Sequence, residues 1–151
     1  MFKKGDAVIY PNYGKVVIKS ICKEADKEYY ELIYEENLEM LIPITKAESL
    51  GMRYPLEKAA LLELLKKSKK VDLVEEDLLS VEKAVNSMLA TGELKDVIYI
   101  IKLLQTLSEE KLKVNKKLEL NHRQYLALAI SIFNSEIQYV LGEKKAQEFI
   151  L

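Results

Sequence analysis

The spacing of apolar residues along this chain changes character once, near residue 50. Before that point, apolar and polar residues alternate in short runs bounded by turn formers, the period-two signature of half-buried strands. This pattern predicts strands over Ala7–Tyr10, Lys15–Lys23, Glu28–Tyr34 and Glu39–Ile42. Pro11-Asn12-Tyr13-Gly14 separates the first two as a turn, because proline fixes φ and glycine tolerates positive φ. Glu24-Ala25-Asp26-Lys27 and Glu35-Glu36-Asn37 are short polar connectors suited to hairpins. Tyr29 and Tyr30 are adjacent and must face opposite sides, one towards a core and one outward. Four short strands bury little as an open sheet, so curling into a small barrel is expected. Pro43 has no N–H to give a ladder and should end the fourth strand or place it at an edge.

From Pro55 onward the spacing is helical. Proline suits a first helical turn, and Leu56, Ala59, Ala60, Leu64 and Leu65 form an apolar stripe on a helix to about Lys67. A basic joint follows at Lys66-Lys67-Ser68-Lys69-Lys70. Asp72 and Glu75 have capping-box spacing, and Val74, Leu78, Val81, Val85 and Met88 then make a seam that predicts Leu78 in the helical core. Gly92 fits a C-terminal cap. A third helix over about Glu93–Leu107 aligns Leu94, Val97, Ile98, Ile101 and Leu104. Asn121 and Gln124 offer a further capping pair for a helix to about Leu141, with Leu126, Ala129, Ile132, Phe133, Ile137 and Val140 on one side and Gly142 as its break. The expected fold is therefore α+β, a small N-terminal β-barrel over residues 1–50 and a compact C-terminal helical domain over residues 54–151.

Composition narrows the function. The 151 residues carry 23 basic and 24 acidic side chains, for a net charge of -1. Residues 1–50 hold 7 basic and 9 acidic groups, and residues 51–151 hold 16 and 15. Such balance excludes a dominant salt-driven grip on nucleic acid and leaves local basic groups, at Lys66–Lys70 and at Lys111, Lys113, Lys116 and Lys117. Cys22 is the single cysteine and forms no intramolecular disulfide, which fits a reducing cytoplasm. No run of 18 apolar residues and no apolar leader occur, so neither membrane spanning nor secretion is expected.

Catalytic chemistry is not indicated. His122 is the only histidine, expected to face solvent in a first helical turn, and with one cysteine it cannot make an ordinary zinc site. Glu109-Glu110 reads as solvated charge, Asp26 and Asp96 have no serine or histidine companion, and Gly14 belongs to no phosphate-binding glycine pattern. No enzyme activity and no cofactor are expected. A tiny barrel on a helical bundle offers little interior for chemistry and instead points to a module that touches other macromolecules.

The order of pieces resembles the CarD/CdnL family of bacterial transcription regulators over essentially the whole chain. The residues that carry the resemblance are Lys4-Gly5-Asp6-Ala7-Val8-Ile9-Tyr10-Pro11-Asn12-Tyr13-Gly14, then Leu41-Ile42-Pro43, Leu50-Gly51-Met52-Arg53 and Leu89-Ala90-Thr91-Gly92-Glu93. The opening motif is also similar to the polymerase-binding module of the transcription-repair coupling factor, whose helicase regions this sequence lacks. The resemblance implies a Tudor-like N-terminal domain that adds a strand to the β subunit of bacterial RNA polymerase. It also implies a helical domain that meets promoter DNA at the upstream edge of the melted bubble, weakly without polymerase. The polymerase contact carries over to Glu39, Met40, Leu41, Ile42 and Pro43, with Leu41 where some members place an arginine. The DNA contact carries over to Arg123, with Lys69 and Lys70 as further candidates. Leu78 stands where several actinobacterial members place a tryptophan wedge, and this chain has no tryptophan. The expected protein is a non-catalytic cytoplasmic regulator, for which a monomer suffices.

Overall fold

A computed structural model describes residues 1–35, 38–68 and 81–149. The alternating segment forms four antiparallel strands, β1 (Ala7–Tyr10), β2 (Gly14–Glu24), β3 (Lys27–Tyr34) and β4 (Leu38–Pro43), in the order β1-β2-β3-β4. Each lies within a residue or so of its predicted span. Val8, Val16, Ile18, Tyr30, Leu32 and Ile42 bury on one face, joined by Phe2, Ala47 and Met52 from the flanking segments. Tyr30 is buried and Tyr29 half-buried, as their adjacency requires.

The sheet is not closed into a barrel, contrary to expectation. β1 and β4 are its two ends and do not pair with each other. Four strands enclose too little space for Tyr30 and Leu32 to stand inside a closed ring. Phe2, Ala47 and Met52 instead complete the core against the buried face of the open sheet. The outer edge of β1 takes a single bridge, in which Ile9 N–H donates to the Arg53 carbonyl at 2.7 Å and Arg53 N–H returns a bond to Ile9 at 3.1 Å. Among the described residues, nothing takes the outer edge of β4.

The helices are α1 (Lys58–Ser68), α2 (Val81–Leu89), α3 (Leu94–Leu112), α4 (Leu120–Leu141) and the short α5 (Glu143–Ala146). α3 runs five residues beyond its predicted end, because nothing between Leu107 and Leu112 breaks a helix. The chain turns only at Asn115, where φ is 58°. On α1 the buried residues are Leu61 and Leu65, four apart, while the predicted stripe members Ala59 and Ala60 lie exposed in the first turn. The core of the bundle joins these leucines to Val81, Val85 and Leu89, the α3 seam, and Ala129, Ile132, Phe133 and Ile137 of α4. The Asp72–Glu75 capping box, Val74 and Leu78 of the seam, and the basic joint beyond Ser68 lie outside the described residues. No described helix is long and apolar enough to cross a membrane.

Sheet and helices meet where the chain's glycines permit close approach. Gly14 has φ of 80°, and a Cβ there would strike Ser135 Oγ and come within 3.2 Å of Ile132 Cα. The Ser135 hydroxyl in turn accepts the Lys15 N–H at 3.1 Å. Pro11 is buried between Gly51 and Gly92, and a Cβ on Gly92 would lie 2.9 Å from the Gly51 carbonyl oxygen and 3.0 Å from Pro11 Cγ. Three separate sequence motifs thus converge on one junction between sheet and bundle.

Candidate functional site

The free edge of β4 is the most open part of the sheet. Its register against β3 pairs Met40 with Leu32, Leu41 with Glu31 and Ile42 with Tyr30. Directly paired residues share a face, so Met40 and Ile42 turn inward beside Leu32 and Tyr30. Ile42 is 9% exposed and belongs to the core, while Met40 packs partly against it. Glu39 and Leu41 alternate onto the outer face, where Leu41 is 45% exposed, and Leu38 at the strand's start is 54% exposed. Pro43 is the last residue of the strand and pairs with Tyr29. The five residues expected to border a partner are therefore split, two outward, two inward and one at the terminus.

A charge cluster accompanies the outward pair. The register of β2 against β3 shifts between Ile18 and Ser20, and this irregularity brings in Lys19, whose Nζ lies 2.8 Å from Glu39 and 3.8 Å from Glu31. The Lys19 hydrogen bond and charge hold the Glu39 carboxyl below the usual carboxylate range, and the same contact raises Lys19. Ser20 donates its hydroxyl to Glu31 at 2.6 Å.

Of the residues expected to meet DNA, Arg123 alone falls among the described residues. Lys69, Lys70 and Leu78 lie outside the described residues. Arg123 is exposed on the first turn of α4. Lys67, Lys111, Lys113 and Lys145 each lie within ion-pair reach of a carboxylate, Glu63, Glu119, Glu110 and Glu148 respectively. His122 does not face solvent as expected, being 8% exposed with neither ring nitrogen hydrogen-bonded. The predicted Asn121 cap also fails, because α4 starts two residues earlier than that cap requires, with Glu119 preceding it, so Asn121 is already inside the helix. Its Nδ2 instead reaches Glu82 of α2 at 3.2 Å.

A buried ion pair was missed from sequence altogether. Arg53 NH1 and NH2 donate to Glu136 Oε2 and Oε1 at 2.9 and 2.8 Å, Arg53 Nε donates to the Gly92 carbonyl at 3.0 Å, and Leu56 N–H donates to Glu136 at 2.9 Å. The Glu136 side chain is 1% exposed. The signal was present, since Glu136 falls on the Ile132–Phe133–Ile137 stripe where a carboxylate needs a partner. Its partner lies 83 residues away and has no local signature.

Residues 2–54 match the family model of the CarD-like/TRCF RID domain. The match covers the sheet and the segments flanking it. The match agrees with the CarD/CdnL resemblance carried by Lys4–Gly14 and ends just past Arg53, leaving the helices outside it. No curated protein matches the chain. A CarD-like/TRCF RID domain joined to a helical bundle gives the protein the character of a transcription regulator. No group of three or more His, Cys, Asp or Glu side chains that could hold a metal occurs among the described residues.

The inward and outward halves of β4 give opposite expectations. Leu41→Glu should leave the circular dichroism spectrum and melting unchanged, since the side chain is exposed. Ile42→Glu should cost several kcal/mol, on the order of 3 or more, because it buries a charge beside Tyr30. Equal melting temperatures for the two variants would contradict the facing of the strand.

Proposed function

We propose that this protein is a non-catalytic transcription regulator that binds the β subunit of bacterial RNA polymerase by adding a strand of that subunit to the free edge of β4. The observation that carries the reading is an unpaired edge, Leu38–Pro43, with Leu41 exposed, inside a CarD-like/TRCF RID domain. An open edge offers backbone groups for pairing, and outward side chains give the pairing its selectivity. The domain division at about residues 50–54 follows from this reading, the sheet gripping polymerase and the helices held at a set angle by the Pro11–Gly51–Gly92 junction. A regulator bound more tightly to the open promoter than to the closed one shifts the ratio tenfold for about 1.4 kcal/mol of differential binding.

Calorimetry of the full chain with purified polymerase, or with its isolated β lobe, tests the proposal. Binding is expected, and Leu41→Glu should weaken it at least about tenfold, because a charge would replace an apolar contact at the pairing edge. No heat of binding at up to about 50 µM would sink the reading, since weaker contacts are worth under about 6 kcal/mol.

A second reading, in which the helical half touches protein and not DNA, is favoured by the paired lysines. Lys67, Lys111, Lys113 and Lys145 are each matched by a carboxylate, so these cations present mixed charge and not a basic face. Duplex DNA binding by the protein alone should accordingly be weak and fall with added salt. If the helices do act at the promoter, Arg123→Ala should shorten open-complex lifetime in the presence of polymerase without changing affinity for the β lobe. An unchanged lifetime favours the second reading.

A further inference from the structure

The edge of β4 carries an acidic surplus that specifies what kind of strand it accepts. On the outer face one ammonium, Lys19, serves two carboxylates, Glu39 at 2.8 Å and Glu31 at 3.8 Å. These three groups hold a net charge of -1. Lys19 belongs to β2, two strands in from the edge. Among the described residues no other cation lies within ion-pair distance of Glu39, so its edge side is uncompensated. Glu35, exposed where β3 ends, adds a further acid at the same end of the strand. Two residues along from Glu39, Leu41 stands exposed on the same outer face.

We infer that the strand received by this edge carries a lysine or arginine across from Glu39 and, two positions along, an aliphatic residue across from Leu41. The inference rests on the edge-pairing reading above and names the chemistry of its occupant. Residues directly across a pair of strands stand about 4.5–5.5 Å apart on one face, close enough for charge and apolar contact to select the partner. A basic residue there makes the cluster two acids and two bases, and it sits beside Glu39 on the side Lys19 does not occupy. An acidic residue there meets an incompletely neutralised carboxylate. A second copy of the chain is disfavoured on the same ground, since pairing β4 with itself brings two acidic edges together.

Two synthetic β-hairpin peptides test this. They are identical except that one outer-strand position is lysine in one and glutamate in the other, followed two residues on by leucine. Affinities for the full chain are measured by fluorescence anisotropy at low and high salt. The lysine peptide should bind about three- to tenfold more tightly at low salt, the range of an exchange of attraction for repulsion across strands. Salt should narrow the gap. Glu39→Gln, with its circular dichroism checked against the parent chain, should shrink the preference to about twofold or less, as a neutral cross-strand neighbour does not distinguish the two charges. Equal binding, a preference for glutamate, a preference that survives in Glu39→Gln, or no binding of either peptide would each overturn the inference. Polymerase binding is read separately. Polymerase bound with the glutamate hairpin preferred rejects the strand chemistry and keeps the regulator, whereas the lysine hairpin preferred without polymerase binding rejects the choice of partner and keeps the chemistry.

Discussion

Arg53→Ala will lower the unfolding free energy by about 3–5 kcal/mol, the usual cost of stranding one member of a buried ion pair. Glu136 is 1% exposed and receives two guanidinium bonds and the Leu56 N–H, so removing Arg53 leaves a carboxylate without its counter-charge away from water. The same guanidinium holds the Gly92 carbonyl, and the Arg53 backbone bridges to β1, so one residue ties the sheet to both α4 and the α2–α3 connection. Urea unfolding of Arg53→Ala, Glu136→Gln and the double variant measures the coupling directly. The double variant should be less destabilised than the two single losses added together, because neither charge is then left alone. A single-variant loss below about 1 kcal/mol would show that the pair behaves as a solvated surface contact.

Gly92→Ala is the second large effect. Its φ of 74° is left-handed, which costs a non-glycine residue about 1–3 kcal/mol. The new Cβ would stand 2.9 Å from the Gly51 carbonyl oxygen and 3.0 Å from Pro11 Cγ. One neighbour is backbone and the other a buried ring, so neither can yield by a rotamer change, and overpacking adds about 1–3 kcal/mol. The sum is on the order of 2–6 kcal/mol. Gly5→Ala is the control, because its φ of 89° is also positive but a Cβ there meets nothing within 4 Å. The difference between the two midpoints isolates the contact from the backbone strain. Equal losses would show that the Pro11–Gly51–Gly92 junction is not tightly packed.

The strands were legible because alternation reports directly which face of a half-buried strand is covered. Pro43 ended β4 where its missing N–H required. The seams Val97–Ile101–Leu104 and Ala129–Phe133–Ile137 were legible for the corresponding helical reason. The failures share a different cause. His122 and the Ala59–Ala60 turn were read from local position alone, whereas burial depends on what arrives from elsewhere. Of the candidate edge, the sequence delimited the strand but could not divide its two faces. Which of Met40 and Leu41 faces the core follows from the pairing of Met40 with Leu32, a relation between strands.

By itself, then, the sequence determined an antiparallel sheet followed by helices, and an opening motif, Lys4–Gly14, that falls inside the region similar to the CarD-like/TRCF RID domain. These are properties of local periodicity and local turn chemistry, which neighbouring residues encode. Only the tertiary structure decided that the sheet stays open, because closure depends on whether β1 and β4 meet or other segments cover Tyr30 and Leu32. It alone joined Arg53 to Glu136 and packed Pro11 between Gly51 and Gly92, since these contacts bring together segments 83 and 41 residues apart whose complementarity exists only once the chain has folded.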